Sequence, residues 1–269
     1  MTYHNQSRTQ GLVGRVVTRV KDLVWPPRSL LSDARVAKAG TIECDLWQAL
    51  DFLYATGCLR CGIPLPQATQ PDSICPVCLV RSPHMRSMRA ALAYDELSKP
   101  LVLGMKHGAR KDGISVYANW MVEAAGNPDD GALVVPVPLH WTRLWSRGYN
   151  QAAWLADAIA RKTGQTFAPE CLVRKRRTPT QNGLSFSGRA RNVEGAFVVK
   201  GNVTGKTILL VDDVYTTGAT LNTCAKVLLR AGAAHVDGVA LARVVRGSTV
   251  DVPDTFASDG PSLLDEDNA

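Results

Sequence analysis

The segment TILLVDDVYTTGATL, residues 207–221, decides the fold of this 269-residue chain. Its residues 208–211 form a short continuous apolar run, which is typical of a strand buried on both faces of a parallel sheet. Asp212 and Asp213 follow where such a strand is expected to end, and ligands of open α/β sheets collect at the carboxyl ends of strands. The segment therefore predicts an α/β fold with a binding site at these two acids.

The residues after the two acids predict a phosphate site. Thr216, Thr217, Gly218 and Thr220 form a small-residue loop, and residues 221–231 then have apolar side chains at helical spacing. A loop that enters a helix presents unpaired backbone N–H groups at the positive end of the helix dipole. Adjacent carboxylates beside this loop can accept hydrogen bonds from sugar hydroxyls or hold Mg²⁺. The alternative is a strand end with two solvated aspartates and a threonine-capped helix.

The charge of the chain favours phosphorylated ligands, single-stranded nucleic acid, or both. The formal net charge is +7, yet residues 250–269 contain five aspartates, one glutamate and no basic residue, so the remainder carries about +13. No apolar run reaches the length of a membrane span. The N-terminus has no secretory signal pattern, and we therefore expect a cytoplasmic protein.

Two CxxC pairs predict a structural metal site. Cys58 and Cys61 are followed, after thirteen residues, by Cys75 and Cys78. This spacing matches a zinc ribbon, in which two knuckles complete a tetrahedral site of four thiolates. Such a site has no open coordination position, so we assign it a structural role rather than a catalytic one. The alternative is four free thiols. Cys44 is expected to be a separate buried thiol.

The predicted elements divide the chain into four parts. Residues 1–40 form a variable segment whose amphipathic helix, residues 12–24, packs on the protein itself or binds a membrane surface or partner. Residues 41–86 form the zinc ribbon, and residues 247–269 form a disordered acidic tail. Residues 87–246 form the α/β domain. Its strands are expected near residues 90–94, 132–137, 171–174, 196–199, 208–211 and 235–244.

Two basic segments accompany the predicted site. The strand at residues 132–137 leads into PLHWTRLWSRGYNQA, residues 138–152, which carries Arg143 and Arg147 before a helix. A strand, a basic loop and a helix in this order again favour anion binding. The second segment, RKRRTPTQNGLSFSGRARN, covers residues 174–192 and has little apolar periodicity. Long unpatterned loops are usually lids or binding loops, although a solvated basic loop is the alternative.

With these motifs in place, the chain resembles the competence protein F (ComF) family, phosphoribosyltransferase-like proteins with an N-terminal zinc-binding segment. The resemblance covers residues 50–244 and depends on the order of CLRC, CPVC, VPVPLHWTRLWSRGYNQA, RKRRTPTQNGLSFSGRARNVEGAF and ILLVDDVYTTGATL. It implies a type I phosphoribosyltransferase fold: a Rossmann-like, mainly parallel sheet with flanking helices, preceded by a small zinc-ribbon module.

The resemblance also implies a substrate and site residues. The substrate is phosphoribosyl pyrophosphate (PRPP) with Mg²⁺, or a nucleotide, and the reaction is transfer of phosphoribose to a nitrogen acceptor with loss of pyrophosphate. The implied catalytic residues are Asp212, Asp213, Arg143 and Arg147. The implied PRPP-binding residues are Asp212, Asp213, Val214, Tyr215, Thr216, Thr217, Gly218, Ala219 and Thr220. The implied flexible loop that closes over the leaving group contains Arg174, Arg177, Gln181, Arg189 and Asn192.

The family's implied cellular role is DNA uptake in natural competence, and this leaves a second function open. In that alternative the protein is a non-catalytic adaptor that binds a nucleotide or single-stranded DNA, while the zinc ribbon docks a competence helicase. Trp141, Trp145 and Tyr149 lie among basic residues and could stack on bases, or they could pack in the core. A third alternative is a PRPP or nucleotide sensor without turnover.

Overall fold

A five-stranded parallel sheet forms the centre of the structure. The computed structural model describes residues 26–32, 34–53, 57–65, 73–107, 110–139, 144–145, 148–175 and 195–245. The strands are β1 (Ser87–Ala93), β2 (Leu133–Pro136), β3 (Thr166–Phe167), β4 (Leu172–Arg174), β5 (Phe197–Val199), β6 (Thr207–Tyr215) and β7 (His235–Arg243). The sheet order is β1-β7-β6-β2-β3, and β4 and β5 form a separate antiparallel pair. The predicted mainly parallel α/β fold is therefore confirmed.

Six helices flank these strands in the described part of the chain. They are α1 (Cys44–Ala49), α2 (Pro76–Val80), α3 (Lys99–His107), α4 (Ile114–Ala125), α5 (Gln151–Thr163) and α6 (Ala219–Arg230). None of the helices in the described residues is both long and apolar enough to cross a membrane. The expected amphipathic helix at residues 12–24 and the acidic tail at residues 247–269 lie outside the described residues.

Strand β6 lies at the centre because both of its faces are apolar. Ile208 and Leu210 pack in a core with α6, while Leu209 and Val211 pack in a second core with α4 and α5 on the opposite face. All four side chains are at most 6% exposed, as the continuous apolar run predicts. Each helix layer therefore has its own core, and the sheet separates the two.

Beyond Val211, β6 pairs with a strand on one side only among the described residues. Strand β2 ends at Pro136, opposite Val211, whereas β7 continues to pair with β6 as far as Tyr215. The strand thus extends four residues beyond the end of its apolar run, and the two acids lie within it rather than after it. The edge of β6 that lies past the end of β2, beside Asp212 and Asp213, is called the crevice here.

The connections of the sheet place this crevice at its topological switch point. The chain leaves β2 through α5 toward β3 at one edge, and it leaves β6 through α6 toward β7 on the other side. Neighbouring strands whose connections diverge in this way leave a gap at their carboxyl ends, which is where open α/β sheets bind ligands.

Candidate functional site

The two acids of β6 point to opposite faces of the sheet, as successive residues of a strand must. Asp213 shares the face of Leu209 and Val211, where its Oδ2 lies 3.0 Å from the Nζ of Lys106 near the end of α3. The side chains of Asp213 and Lys106 are 14% and 23% exposed. Lys106 therefore supplies a partly buried counter-charge for the carboxylate of Asp213.

Asp212 lies on the face of α6 and has a different environment. Its Oδ1 accepts a hydrogen bond of 2.9 Å from the backbone N–H of Asp213. Removal from water and the neighbouring charge of Asp213 nevertheless raise the pKa of Asp212 to about 8, with Lys106 opposing the change. The pKa of the buried Cys224 thiol on α6 is also raised, chiefly by burial and further by Asp212. The site thus combines a carboxylate that is paired with Lys106 and a carboxyl group whose pKa is raised to about 8.

The loop of residues 216–218, here called the phosphate loop, turns sharply between β6 and α6. Gly218 has φ +75° and is the N-cap residue of α6, a left-handed conformation that other residues adopt at a cost. The Oγ1 of Thr217 accepts a 3.5 Å hydrogen bond from the N–H of Ala219. Because the first turn of a helix leaves N–H groups without intrahelical partners, this end of α6 can bind phosphate.

On the other side of the crevice, Asn150 fixes the start of α5. Its Oδ1 accepts from the N–H of Ala152 at 3.1 Å, and its Nδ2 donates to the carbonyl of Val137 at 3.1 Å. The N–H of Val137 in turn donates to the carbonyl of Val211 at 2.9 Å. The loop between β2 and α5 is therefore tied at both ends to the edge of the crevice.

Two aromatic residues of this loop have different environments. Tyr149 stacks on Trp154 with ring centroids 4.2 Å apart and an angle of 15°, and its hydroxyl donates to the carbonyl of Lys106 at 3.2 Å. Trp145 is 86% exposed. Tyr149 thus belongs to an aromatic pair that packs the loop against α3, while the ring of Trp145 faces solvent.

Several predicted site residues lie outside the described residues. These are Arg143, Arg147 and Trp141 of the loop after β2, and Arg177, Gln181, Arg189 and Asn192 of the predicted flexible loop. Of the flexible-loop residues, the structure describes Arg174. It is the last residue of β4, and its guanidinium carbon lies 5.5 Å from the ring centroid of Phe197 on β5.

The four predicted cysteine ligands come together in one cluster. All four sulfur atoms of Cys58, Cys61, Cys75 and Cys78 lie within 4.8 Å of one another, and those of Cys61 and Cys75 are 3.8 Å apart. Tetrahedral Zn²⁺ with Zn–S bonds of about 2.3 Å separates its sulfur ligands by about 3.8 Å. The cluster therefore fits Zn²⁺.

The two CxxC turns also have the local geometry of metal knuckles. The N–H of Cys75 donates to the sulfur of Cys58 at 3.3 Å, and the N–H of Gly62 donates to the carbonyl of Cys58 at 2.7 Å. The pKa of Cys61 is lowered to about 5, chiefly because its sulfur accepts a hydrogen bond from Cys78. Cys44 is exposed and separate from this cluster, so the expectation that it is buried was wrong.

The region around these cysteines, residues 57–65 and 73–80, is called the cysteine module here, and it packs directly on the sheet. Arg89 of β1 donates to the carbonyl of Leu59 at 2.9 Å, and Arg243 of β7 donates to the carbonyl of Cys61. A Cβ on Gly62 would overlap the carbonyl oxygen of Met88 in β1, which shows how closely the two backbones approach. Nearby, the N–H of His84 donates to the side chain of Asn222 on α6.

Sequence reasoning missed Lys106 and Arg243 as parts of these sites. For Lys106, the available signal in the sequence was the group of basic residues Lys106, His107, Arg110 and Lys111 after the first predicted strand of the α/β domain. Nothing in the sequence around Arg243 predicts its contact with the cysteine module, because arginine is common at the ends of strands. The fold brings each of them to a partner more than a hundred positions away.

Comparison with known proteins agrees with this architecture. The family model for the phosphoribosyl transferase domain matches residues 152–267. The DNA utilization protein YhgH of Escherichia coli K12 is 32% identical over 199 residues, which cover 71% of this chain and 85% of that protein. Competence protein F of Haemophilus influenzae is 39% identical over 41% of this chain and 49% of its own length. Competence protein ComFC of Streptococcus pneumoniae is 33% identical over 58% and 68%.

Proposed function

Since the chain belongs to the competence protein F (ComF) family of phosphoribosyltransferase-like proteins, we propose that its crevice binds PRPP with Mg²⁺ and transfers phosphoribose to a nitrogen acceptor. The observation that carries the proposal is the position of two adjacent carboxylates beside a phosphate loop, at the switch point of a parallel sheet. A ligand with vicinal hydroxyls and a 5′-phosphate satisfies both features at once.

The residues of the crevice take separate parts in this proposal. The backbone N–H groups at the start of α6 bind the 5′-phosphate, and the carboxylates of Asp212 and Asp213 accept hydrogen bonds from the ribose hydroxyls. Their negative charge also stabilises the positive charge that develops on the ribose as pyrophosphate leaves. Arg143 and Arg147 bind the pyrophosphate. Bound Mg²⁺ supplies charge neutralisation of the leaving group.

The cellular role that we propose is in DNA uptake. The names of the relatives refer to DNA utilization and to competence. A chain with a formal net charge of +7 suits a role near nucleic acid in the cytoplasm, with a helicase as a partner of the cysteine module.

A double substitution tests whether the crevice binds PRPP. Asp212→Asn with Asp213→Asn should lower the affinity for PRPP and Mg²⁺ at least about tenfold, since two hydrogen-bond acceptors for ribose or metal are weakened. The control is Glu96→Gln with Asp157→Asn, which removes the same charge from two largely exposed ion pairs, Lys99–Glu96 and Arg161–Asp157. Calorimetry on the three proteins measures the difference.

The two possible results separate specific contacts from general attraction. Loss of two negative charges near a phosphate-rich ligand favours binding by itself, so a fall in affinity requires contacts made by the carboxylates. Unchanged or tighter binding in the double variant would leave only a basic surface that attracts phosphate. Release of pyrophosphate from PRPP with a panel of amines and bases then decides whether the bound ligand turns over.

A second candidate function, binding of single-stranded DNA, is favoured by the exposure of Trp145. An exposed indole beside a basic loop gives a base a surface on which to stack, and such stacking contributes about 1–3 kcal/mol per base. Trp145→Ala should then weaken binding of an oligothymidylate about tenfold in a fluorescence titration. Equal affinity of the variant and the parent would exclude this contact.

A further inference from the structure

Tyr215 and Arg243 form a buried contact between the phosphate loop and the cysteine module. They are the last residues of β6 and β7, and they are register partners in the sheet. Their side chains belong to residues that are 7% and 5% exposed, and the guanidinium carbon of Arg243 lies 5.0 Å from the ring centroid of Tyr215. A cation over an aromatic ring in a site with little water is a favourable contact that fixes both groups.

The ring of Tyr215 packs against the phosphate loop at Gly218. A Cβ built on Gly218 would lie 2.7 Å from the Cζ of Tyr215, so the backbone of Gly218 rests directly on the ring. No ordinary side chain could occupy that space. If the ring of Tyr215 shifts, the turn that leads into α6 must therefore move with it or lose its contact with the ring.

Arg243 is held on its other side by the cysteine module. Its Nη1 donates to the carbonyl of Cys61, and within the described part of the chain its buried Nε has no hydrogen-bond partner. The carbonyl and the ring are thus the contacts that define the position of this guanidinium. Cys61 is one of the four thiols that fit Zn²⁺, so the metal would fix the carbonyl to which Arg243 binds.

The metal site also provides an electrostatic reason for an arginine at this place. Four thiolates around one Zn²⁺ carry a net negative charge, which needs positive groups nearby when the site is partly buried. Arg243 and Arg89 approach the first knuckle from two neighbouring strands. They differ in one respect: Arg243 also contacts Tyr215, whereas the guanidinium of Arg89 donates to the carbonyls of Cys58, Leu59 and Met88.

We propose that the cysteine module, when it holds Zn²⁺, positions the phosphate loop through Arg243 and Tyr215. Both are positioning residues: Arg243 transmits the position of the Cys61 carbonyl to the ring, and the ring sets the position of Gly218. The metal site is then part of the ligand site and not only a fold stabiliser. This proposal rests on the proposed function insofar as the loop binds the 5′-phosphate of a ribose.

The first test compares two arginine substitutions in the zinc-loaded, full-length protein. Arg243→Met keeps the volume of the side-chain stem but removes both contacts, and Arg89→Met removes the matching contact from β1 without reaching Tyr215. We expect Arg243→Met to weaken binding of ribose 5-phosphate at least about tenfold, or about 1.4 kcal/mol, and Arg89→Met to change it less than twofold. Equal losses in the two variants would overturn the proposal, because they would reflect general loosening of the module.

The second test measures the environment of the phosphate loop directly, through the NMR resonance of the Gly218 amide. In protein labelled with ¹⁵N-glycine, Arg243→Met should shift the amide resonance of Gly218 in the absence of any ligand, and Arg89→Met should leave it in place. Removal of zinc by a chelator should shift the same resonance in the parent and should have little further effect in Arg243→Met, because a shared contact makes the two changes non-additive. Independent, additive shifts would overturn the proposal.

These two measurements also distinguish failure of the positioning role of Arg243 and Tyr215 from failure of the proposed PRPP-binding function. If the parent binds neither PRPP nor ribose 5-phosphate, the proposed function fails, and the Gly218 resonance still decides whether Arg243 positions the loop. If the parent binds ribose 5-phosphate and Arg243→Met binds it equally well with an unshifted Gly218 resonance, the proposed function stands and the positioning role is refuted.

Discussion

Replacement of Lys106 by methionine should destabilise the protein by an amount that depends on pH. Lys106 pairs with Asp213 at 3.0 Å, and both side chains are less than a quarter exposed. Attraction between unit charges at that distance is about 5.5 kcal/mol with an effective dielectric constant of about 20. Desolvation of the two groups offsets most of it. Since hydrogen bonds to charged groups contribute about 1.5–3 kcal/mol, we expect a loss of about 2 kcal/mol at pH 6.

The loss should grow at higher pH because of Asp212. Its pKa is raised to about 8, so the folded protein holds this proton more tightly than the unfolded chain, whose carboxyl has an ordinary pKa near 3.8. The contribution of protonated Asp212 to the free energy of unfolding is fully present below about pH 4 and is lost as the pH rises through about 8. Without Lys106 the pKa of Asp212 rises further, and each added unit costs about 1.4 kcal/mol once the group must ionise. Lys106→Met should therefore lose about 1 kcal/mol more at pH 9 than at pH 6.

Urea unfolding followed by far-UV circular dichroism measures these free energies. The matched control is Lys99→Met on the same helix, which removes an exposed ion pair with Glu96 and should change stability by less than about 0.5 kcal/mol at either pH. Asp213→Asn added to Lys106→Met should recover part of the loss, since it removes the uncompensated charge. Equal effects of Lys99→Met and Lys106→Met, or a loss that stays constant between pH 6 and pH 9, would refute this account of the site.

Three other predictions concern the metal, the phosphate loop and the basic loop. Cys61→Ser should abolish binding of one Zn²⁺ per chain, measured by metal analysis, and expose the cysteine module to proteolysis. Gly218→Ala should cost about 2 kcal/mol in urea unfolding, clearly more than Gly164→Ala, because both have positive φ but only position 218 lacks space for a Cβ. Amides of residues 174–191 should exchange more slowly with PRPP bound, and slow exchange already present in the free protein would contradict a closing loop.

The features that the sequence predicts are those encoded by neighbouring residues. The apolar run at residues 208–211 identifies the central strand, and the loop at residues 216–218 identifies the start of α6, because burial and helix initiation depend on local pattern. The four cysteines are found for the same reason: two CxxC turns are local, and one ion joins them. The parallel sheet follows from strands that alternate with helices.

Features that depend on packing could not be read from the sequence. Strand β6 continues to Tyr215 because β7 continues beside it, and nothing in the apolar run indicates this. The contact between Lys106 and Asp213 joins α3 to β6, and the contact between Arg243 and Cys61 spans 182 residues of chain. Cys44 has no neighbouring pattern to indicate exposure, and the prediction for it failed because cysteine is usually buried.

The different environments of the two acids imply different parts in ligand binding. Asp213 already has Lys106 as a partner, so its charge is compensated in the free protein, and an incoming ligand must share or replace that partner. Asp212 has no ion-pair partner in the described part of the chain, and burial and the charge of Asp213 disfavour its ionised form. A positively charged ribose or a metal ion in the crevice would lower the free energy of the ionised form of Asp212 more than that of Asp213. In the proposed complex, Asp212 is therefore the acid whose ionised form the ligand stabilises more, because that stabilisation is absent before the ligand binds.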